Sequence, residues 1–224
     1  MMSDVHFADL ASRIGTLALA AERPLIVSDA DEVVFAFMHA FEGFLIESGY
    51  RFDWSSFRLT GNVLPAGGGA PADQATVGAL LEEFYRGHAG RIAPVPGAAE
   101  QLRRLSARAQ VVILTNAPDS SRDARARSLA AHGMPYPVLI NRGRKGRAVA
   151  TLGARVCGPV FFLDDSPGHL ESVAAHAPDV RRIHFVHHPC LAALVAPAPA
   201  CHHRTDDWKA AYAVIDRELA AAGY

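Results

Sequence analysis

Pro24-Leu25-Ile26-Val27-Ser28-Asp29-Ala30-Asp31-Glu32-Val33-Val34 is the stretch from which the fold can be read. It opens with a short apolar run, the pattern of a strand covered on both faces rather than half exposed. The run ends in two aspartates separated by one residue. Side chains two apart in extended backbone point the same way, so the carboxylates of Asp29 and Asp31 can act on one bound group. One can attack phosphorus while the other protonates the leaving oxygen and later activates water. The plainer alternative is a strand-to-helix loop in which an aspartate caps the next helix. This stretch alone does not choose between the two.

Four more apolar runs of strand length follow, at residues 111–115, 137–140, 160–163 and 183–186. Segments of helical composition alternate with them, at 96–108, 119–132, 144–156 and 167–176. That alternation predicts an α/β fold, a Rossmann-like parallel sheet with helices on both faces. Residues 34–94 interrupt it. They contain helical segments at 35–48 and 72–87, joined through the glycine-rich loop Pro65-Ala66-Gly67-Gly68-Gly69-Ala70-Pro71, and Pro94 and Pro96 mark the return. The expected organisation is a core of residues 1–33 and 95–224 carrying an inserted, mainly helical cap at 34–94, above the carboxyl end of the first strand. A helix is expected over 3–21, with Asp4 at the positive end of its dipole. A last helix over 206–221, bearing Trp208, Tyr212, Val214, Ile215 and Leu219, should pack on the core.

Three further segments carry chemistry, each at a predicted strand end or in a loop near one. Thr115, followed by Asn116, offers a hydroxyl and exposed backbone N–H groups that can hold a phosphoryl oxygen, although taken alone a threonine at an ordinary loop start is the plainer reading. Lys145 lies in Arg142-Gly143-Arg144-Lys145-Gly146-Arg147, and with Lys209 it is one of only two lysines in the chain. An ammonium there can balance the charge of a phosphoryl group and of the nucleophilic carboxylate; the alternative is a solvated basic turn, and Arg144 and Arg147 are rival cations, though lysine is the better point charge. Asp164 and Asp165 follow the apolar run at 160–163. Four carboxylates brought together would repel one another unless a cation sat among them. Hard oxygen ligands of this kind describe a magnesium site.

Asp29-Ala30-Asp31-Glu32-Val33, Thr115, Lys145 and Asp164-Asp165, in this order, resemble the four motifs of the haloacid dehalogenase-like superfamily. The resemblance spans essentially the whole chain, and residues 34–94 stand where that superfamily carries its first-position cap. It implies that Asp29 is the nucleophile, Asp31 the acid and base, Thr115 a phosphoryl ligand and Lys145 the residue that stabilises the aspartyl-phosphate. It also implies Mg2+ held by the Asp29 carboxylate, the Asp31 backbone carbonyl, and Asp164 or Asp165, and a substrate-binding set of Ala30, Thr115, Asn116 and Lys145. The chain departs from the pattern at Glu32, where many members have glycine. Asp31 argues against halide displacement, which needs no proton donor. A cap without lysine argues against Schiff-base chemistry on phosphonates. The resemblance thus implies a magnesium-dependent phosphatase acting on a small phosphorylated metabolite. The alternatives are a sugar-phosphate mutase on the same core and a non-catalytic domain that binds a phosphorylated ligand.

The 224 residues are half apolar and one fifth charged, with a formal net charge of −1. This balance supplies no bulk attraction to nucleic acid or to an anionic membrane. No run approaches the roughly 18–20 apolar residues of a membrane span, and the N-terminal region does not read as a signal peptide, because Asp4, Asp9 and Arg13 break it. The odd set Cys157, Cys190 and Cys201 suits a reducing cytoplasm. His187-His188-Pro189-Cys190 and Cys201-His202-His203 invite a zinc reading, but their spacing matches no familiar zinc site, and two surface loops are expected instead. Within the cap, Arg58, Thr60, Asn62, Arg86 and His88 are the polar candidates for substrate contact. The N-terminal helix serves either core packing or a homodimer contact, and packing is the expectation.

Overall fold

The computed structural model describes residues 4–224, so Ser3 and the side chain of Asp4 lie outside the described residues. In chain order the elements are α1 (Asp4–Thr16), β1 (Leu25–Ser28), α2 (Phe37–Glu47), β2 (Tyr50–Phe52), β3 (Val63–Pro65), α3 (Gln74–His88), α4 (Ala98–Ser106), β4 (Gln110–Thr115), α5 (Arg122–Ala131), β5 (Val138–Ile140), α6 (Gly146–Gly153), β6 (Val160–Asp164), α7 (Pro167–His176), β7 (Arg181–Phe185), α8 (Pro189–Leu194), β8 (His203–Thr205) and α9 (Trp208–Ala221). A single 3-10 turn, Asp119–Ser121, leads into α5.

The main sheet has the order β5-β4-β1-β6-β7-β8, and every pairing in it is parallel. This is the expected Rossmann-like α/β core. The chain builds outward from β1 through β4 to β5, then returns to the other side of β1 for β6, β7 and β8. Such a reversal opens a crevice at the carboxyl ends of the strands, where open sheets bind ligands. Register fixes what enters it: Ser28 pairs with Ile113 and with Leu163, so Asp29 and Asp164 leave neighbouring strands at the same level.

Alternating strand residues feed two cores. Ile26, Ile113, Phe161 and Leu163 face one way, toward α4, α5, α9 and the segment after β1; Leu25, Val27, Val112, Leu114 and Phe162 face the other, toward α1, α6 and α7. Both faces are covered, which is why these strands read as unbroken apolar runs. α1 lays Leu10 and Ile14 into the second core, as the packing expectation held. It stops at Thr16 rather than Ala21, because Arg155 donates to the carbonyls of Ile14 and Leu17 and so satisfies its carboxyl end.

Two readings of the sequence need correction. Residues 187–203 are not two surface loops. They contain α8 and lead into β8, an edge strand in register with β7. His-Arg-Thr offers no apolar residue to mark it as a strand, and two of its side chains are held by polar partners instead: Arg204 donates to Val195 O and His203 contacts Glu218. The segment between β1 and α4 holds the two expected helices, α2 and α3, and also an antiparallel hairpin of β2 and β3. Strands of three residues are too short to register as a periodicity. Among the described residues, no helix is long and apolar enough to cross a membrane.

Candidate active site

The centre of the crevice is a buried ion triad. Lys145 Nζ lies 2.8 Å from Asp29 Oδ1 and 2.8 Å from Asp164 Oδ2, and the lysine and Asp164 are fully buried. Asp29 and Asp164 arrive from β1 and β6. Lys145 arrives from the loop before α6, which lies close against α7. Gly146 permits that approach: a Cβ there would collide with the backbone and side chain of Ser172, whose hydroxyl instead accepts the Gly146 N–H at 3.1 Å. Burial pulls the ammonium down, but Asp164 and Asp29 outweigh it and hold Lys145 above its ordinary value.

One lysine does not balance the acids around it. Asp165 joins Asp29 and Asp164 in a group in which one carboxylate oxygen from each lies within 4.8 Å of the other two. Burial, opposed by Lys145 and reinforced by Asp164 and Asp31, raises the Asp29 carboxyl from 3.8 to about 6. Burial, with Asp164 and Asp29 beside it, raises the Asp165 carboxyl well above its ordinary value. Three hard oxygen donors short of positive charge are what a divalent cation requires. Asp31 stands outside this group by its side chain.

The Asp31 carboxylate is held from the other side. Tyr85 Oη of α3 donates to Oδ2 at 2.7 Å, and Arg125 Nη2 of α5 pairs with Oδ1. Arg125 is fully buried, and its Nε and Nη1 have no hydrogen-bond partner. Its guanidinium lies against the rings of Phe35 and Tyr85, with centroids 4.9 and 5.5 Å away, so aromatic faces take the place of polar partners. Neither Tyr85 nor Arg125 was legible as a site residue. Arg125 is one arginine of several in an ordinary-looking helix.

Glu32 departs from the glycine pattern for a visible reason. Its φ is 61°, in the left-handed region that glycine occupies freely and other residues rarely do. The conformation is compensated: Glu32 Oε1 accepts the backbone N–H of Met38 at 2.5 Å. Ala36, at the start of α2, supplies no side-chain cap, so Glu32 satisfies an amide of that helix's first turn. Burial raises its carboxyl from 4.5 to about 7.

Thr115 is buried at the end of β4, where its hydroxyl accepts the Ala117 N–H at 3.2 Å and faces the crevice. Asn116 also borders the crevice, but its amide group is engaged elsewhere. It donates to Gly143 O at 2.9 Å and accepts from Asn141 Nδ2 at 2.8 Å, tying the end of β4 to the loop that carries Lys145. The Ala30 N–H is used by Asp29 Oδ1 itself, at 2.7 Å.

Above these groups lies a cavity of about 360 Å³. Asp29, Asp31, Thr115 and Asp165 form its floor; Phe37, Met38, Phe57, Leu59, Leu81 and Tyr85 from residues 34–94 form its roof. The polar residues named earlier in that segment do not line it. Asn62 is buried and holds the loop after β2 by donating to Ser56 O and Arg58 O at 2.8 and 2.7 Å. Arg58 and Thr60 border a separate groove, Arg86 is exposed, and His88 stacks on Phe84. The histidine and cysteine pairs form no metal-ligand group among the described residues: His188 stacks on Trp54, and His203 contacts Glu218 at 2.9 Å.

No family model matches the chain, and no curated protein matches it. Solved structures do. A conserved haloacid dehalogenase-like protein of unknown function from Agrobacterium tumefaciens is 16% identical with a TM-score of 0.59, covering 87% of this chain and 98% of its own. The L-2-haloacid dehalogenase of Xanthobacter autotrophicus is 13% identical with a TM-score of 0.54, covering 86% and 98%. CbbY of Rhodobacter sphaeroides, solved in complex with phosphate, is 17% identical with a TM-score of 0.52, covering 82% and 94%. The chain therefore has the haloacid dehalogenase-like fold.

Proposed function

We propose that this chain is a magnesium-dependent phosphohydrolase that cleaves a small phosphate monoester through an aspartyl-phosphate on Asp29. The observation that carries the reading is the buried triad of Asp29, Lys145 and Asp164 with Asp165 beside it. A nucleophilic carboxylate, a fixed cation and surplus oxygen donors stand together at the strand ends. The carboxylates of Asp29, Asp164 and Asp165 and the backbone carbonyl of Asp31 would hold Mg2+, which when bound offsets the negative charge of the phosphoryl oxygens.

In the first step an Asp29 oxygen attacks phosphorus. The bond to the leaving oxygen breaks, and Asp31 gives that oxygen a proton. In the second, water loses a proton to Asp31 and attacks the phosphorus, freeing phosphate and the Asp29 carboxylate. Tyr85 and Arg125 fix the Asp31 carboxylate for both transfers. Lys145 stays between Asp29 and Asp164 and balances the charge through the cycle, while Thr115 offers its hydroxyl to a phosphoryl oxygen. Asp31 also separates this chemistry from halide displacement, which requires no proton donor.

On this reading residues 34–94 are a cap that closes the cavity over the floor built by 1–33 and 95–224. The three cysteines carry free thiols, in keeping with the reducing cytoplasm as the site of action.

The test is phosphate release from phenyl phosphate with magnesium, with chelator, and with Asp29→Asn. We expect release that chelator stops and that Asp29→Asn lowers by at least about a thousandfold. Turnover indifferent to either change would overturn the mechanism.

A further inference from the structure

Resting on the phosphohydrolase reading, we infer that the substrate's leaving group is an uncharged, apolar alcohol, best matched by an aromatic ring, and not a second phosphate, a carboxylate or an open sugar. The inference comes from what surrounds the space beyond the phosphoryl site. Phe37, Met38, Phe57, Leu59, Leu81 and Tyr85 give that space an almost continuous apolar wall. Among the described residues lining the cavity, every charged one is acidic: Asp29, Asp31, Glu32, Glu82 and Asp165.

The nearby cations are already taken. Lys145 is shared between Asp29 and Asp164, and Arg125 is paired with Asp31; both are buried beneath the floor, outside the cavity lining. An anionic group on the leaving side would lose its hydration, gain no counter-ion, and face Glu82 at the rim. A sugar would lose water from several hydroxyls at once. Beyond the floor the lining offers them Glu32 and Glu82, since Asn116 is engaged by Gly143 and Asn141 and the Tyr85 proton is already donated to Asp31. A ring loses nothing there and gains contact with three aromatic side chains. Leu81 is the position that decides charge preference, since it is only half buried, lies on α3 next to Glu82, and borders the cavity.

Phenyl phosphate and 4-carboxyphenyl phosphate share the scissile bond and differ by one charge, so their kcat/KM ratio measures this preference. We expect the neutral ester to be favoured by about tenfold or more. Phosphoglycolate should fall roughly 10- to 100-fold below phenyl phosphate for want of a ring to bury. Leu81→Arg should narrow the neutral-to-charged ratio several-fold, and Phe57→Ala should raise KM for the neutral ester. A wild-type ratio at or below one overturns the inference while leaving the phosphohydrolase reading intact, whatever becomes of the variants. Should neither ester release phosphate, that reading fails. Calorimetric titration of both esters into Asp29→Asn protein then decides the wall's preference: tighter binding of phenyl phosphate supports it, and equal or reversed affinities refute it.

Discussion

The floor of the cavity is made of charges fixed at strand ends, whereas its roof is made of apolar side chains on two helices and a loop. On the floor, Asp29 and Asp164 are locked in register by the sheet, and Lys145 is held by both. In the roof, Phe37, Phe41, Phe44 and Phe84 pack ring on ring, at centroid distances between 5.3 and 6.1 Å, and Tyr85 joins them. Charges placed by backbone register have few alternative arrangements; rings packed on one another can exchange for other rings of similar volume. On the proposed phosphohydrolase reading, the contrast assigns reaction type to the floor and choice of leaving group to the roof. Changes below should therefore act on kcat and on stability, and changes above mainly on KM.

Lys145→Met is the harshest test of the floor. It removes the one cation between two buried carboxylates and should cost about 3–5 kcal/mol of stability near pH 8 without metal. The sign of its pH dependence follows from the acids left behind. Burial already raises Asp29 and Asp164, and loss of the lysine raises them further. The folded variant therefore keeps protons that the unfolded chain releases above about pH 4, and its stability falls as pH climbs from there toward neutrality. Urea denaturation in chelator at pH 5 and pH 8 measures this. A variant as stable as wild type at pH 8 would mean that the triad is not the organising feature of the floor.

Arg125→Met asks whether the seam between floor and roof belongs to the chemistry. Arg125 comes from the core, Tyr85 from the roof, and they meet on the Asp31 carboxylate. With the guanidinium gone, Asp31 keeps one tether. We expect kcat to fall roughly 10- to 100-fold with little change in KM. Arg125→Lys should recover part of the loss, since the charge returns without the planar stacking on Phe35. A rise in KM at constant kcat would instead assign Arg125 to the roof.

The same contrast governs how much could be read from the sequence. The floor was legible because its residues sit at the ends of unbroken apolar runs, and the parallel sheet turns each run's end into a position in space. Asp29, Thr115, Asp164 and Asp165 follow that rule. Lys145 was legible for a different reason, since lysine is scarce in this chain. The roof was not legible. Phe37 and Met38 sit in a helix that is apolar on most sides, and Leu81 and Tyr85 only flank the buried Val77, Leu80 and Phe84 of α3, so periodicity located the helices without saying which residues look down. Polar residues drew attention in that segment, yet Asn62 holds a loop together and His88 packs among rings. Arg125 was hidden because a buried arginine and an exposed one look alike in a basic helix.

The smallest expected effect concerns the contact that ties roof to core away from the chemistry. Trp54, in the loop after β2, stacks on His188 at the start of α8, with centroids 4.3 Å apart and planes 12° from parallel. Both lean on Glu42 of α2: Trp54 Nε1 donates to Oε1 at 2.7 Å, and His188 Nε2 lies 3.7 Å from Oε2. Because the stack holds the roof down without touching the floor, Trp54→Ala should raise KM about 2- to 10-fold and leave kcat nearly unchanged. Burial, opposed by Glu42, lowers His188 from its ordinary 6.5, so the packed ring is neutral. A free imidazole begins to bind a proton near pH 6.5, and the packed one resists until lower pH. The contact is thus at full strength above about pH 6.5 and weakens below it. Wild-type KM should therefore rise modestly between pH 7 and pH 5.5, and His188→Phe, which keeps the stacking surface and removes the titration, should flatten that rise. If KM in the His188→Phe variant climbs as steeply as in wild type, the acid sensitivity comes from the carboxylates of the floor, and the division between floor and roof is less clean than the geometry suggests.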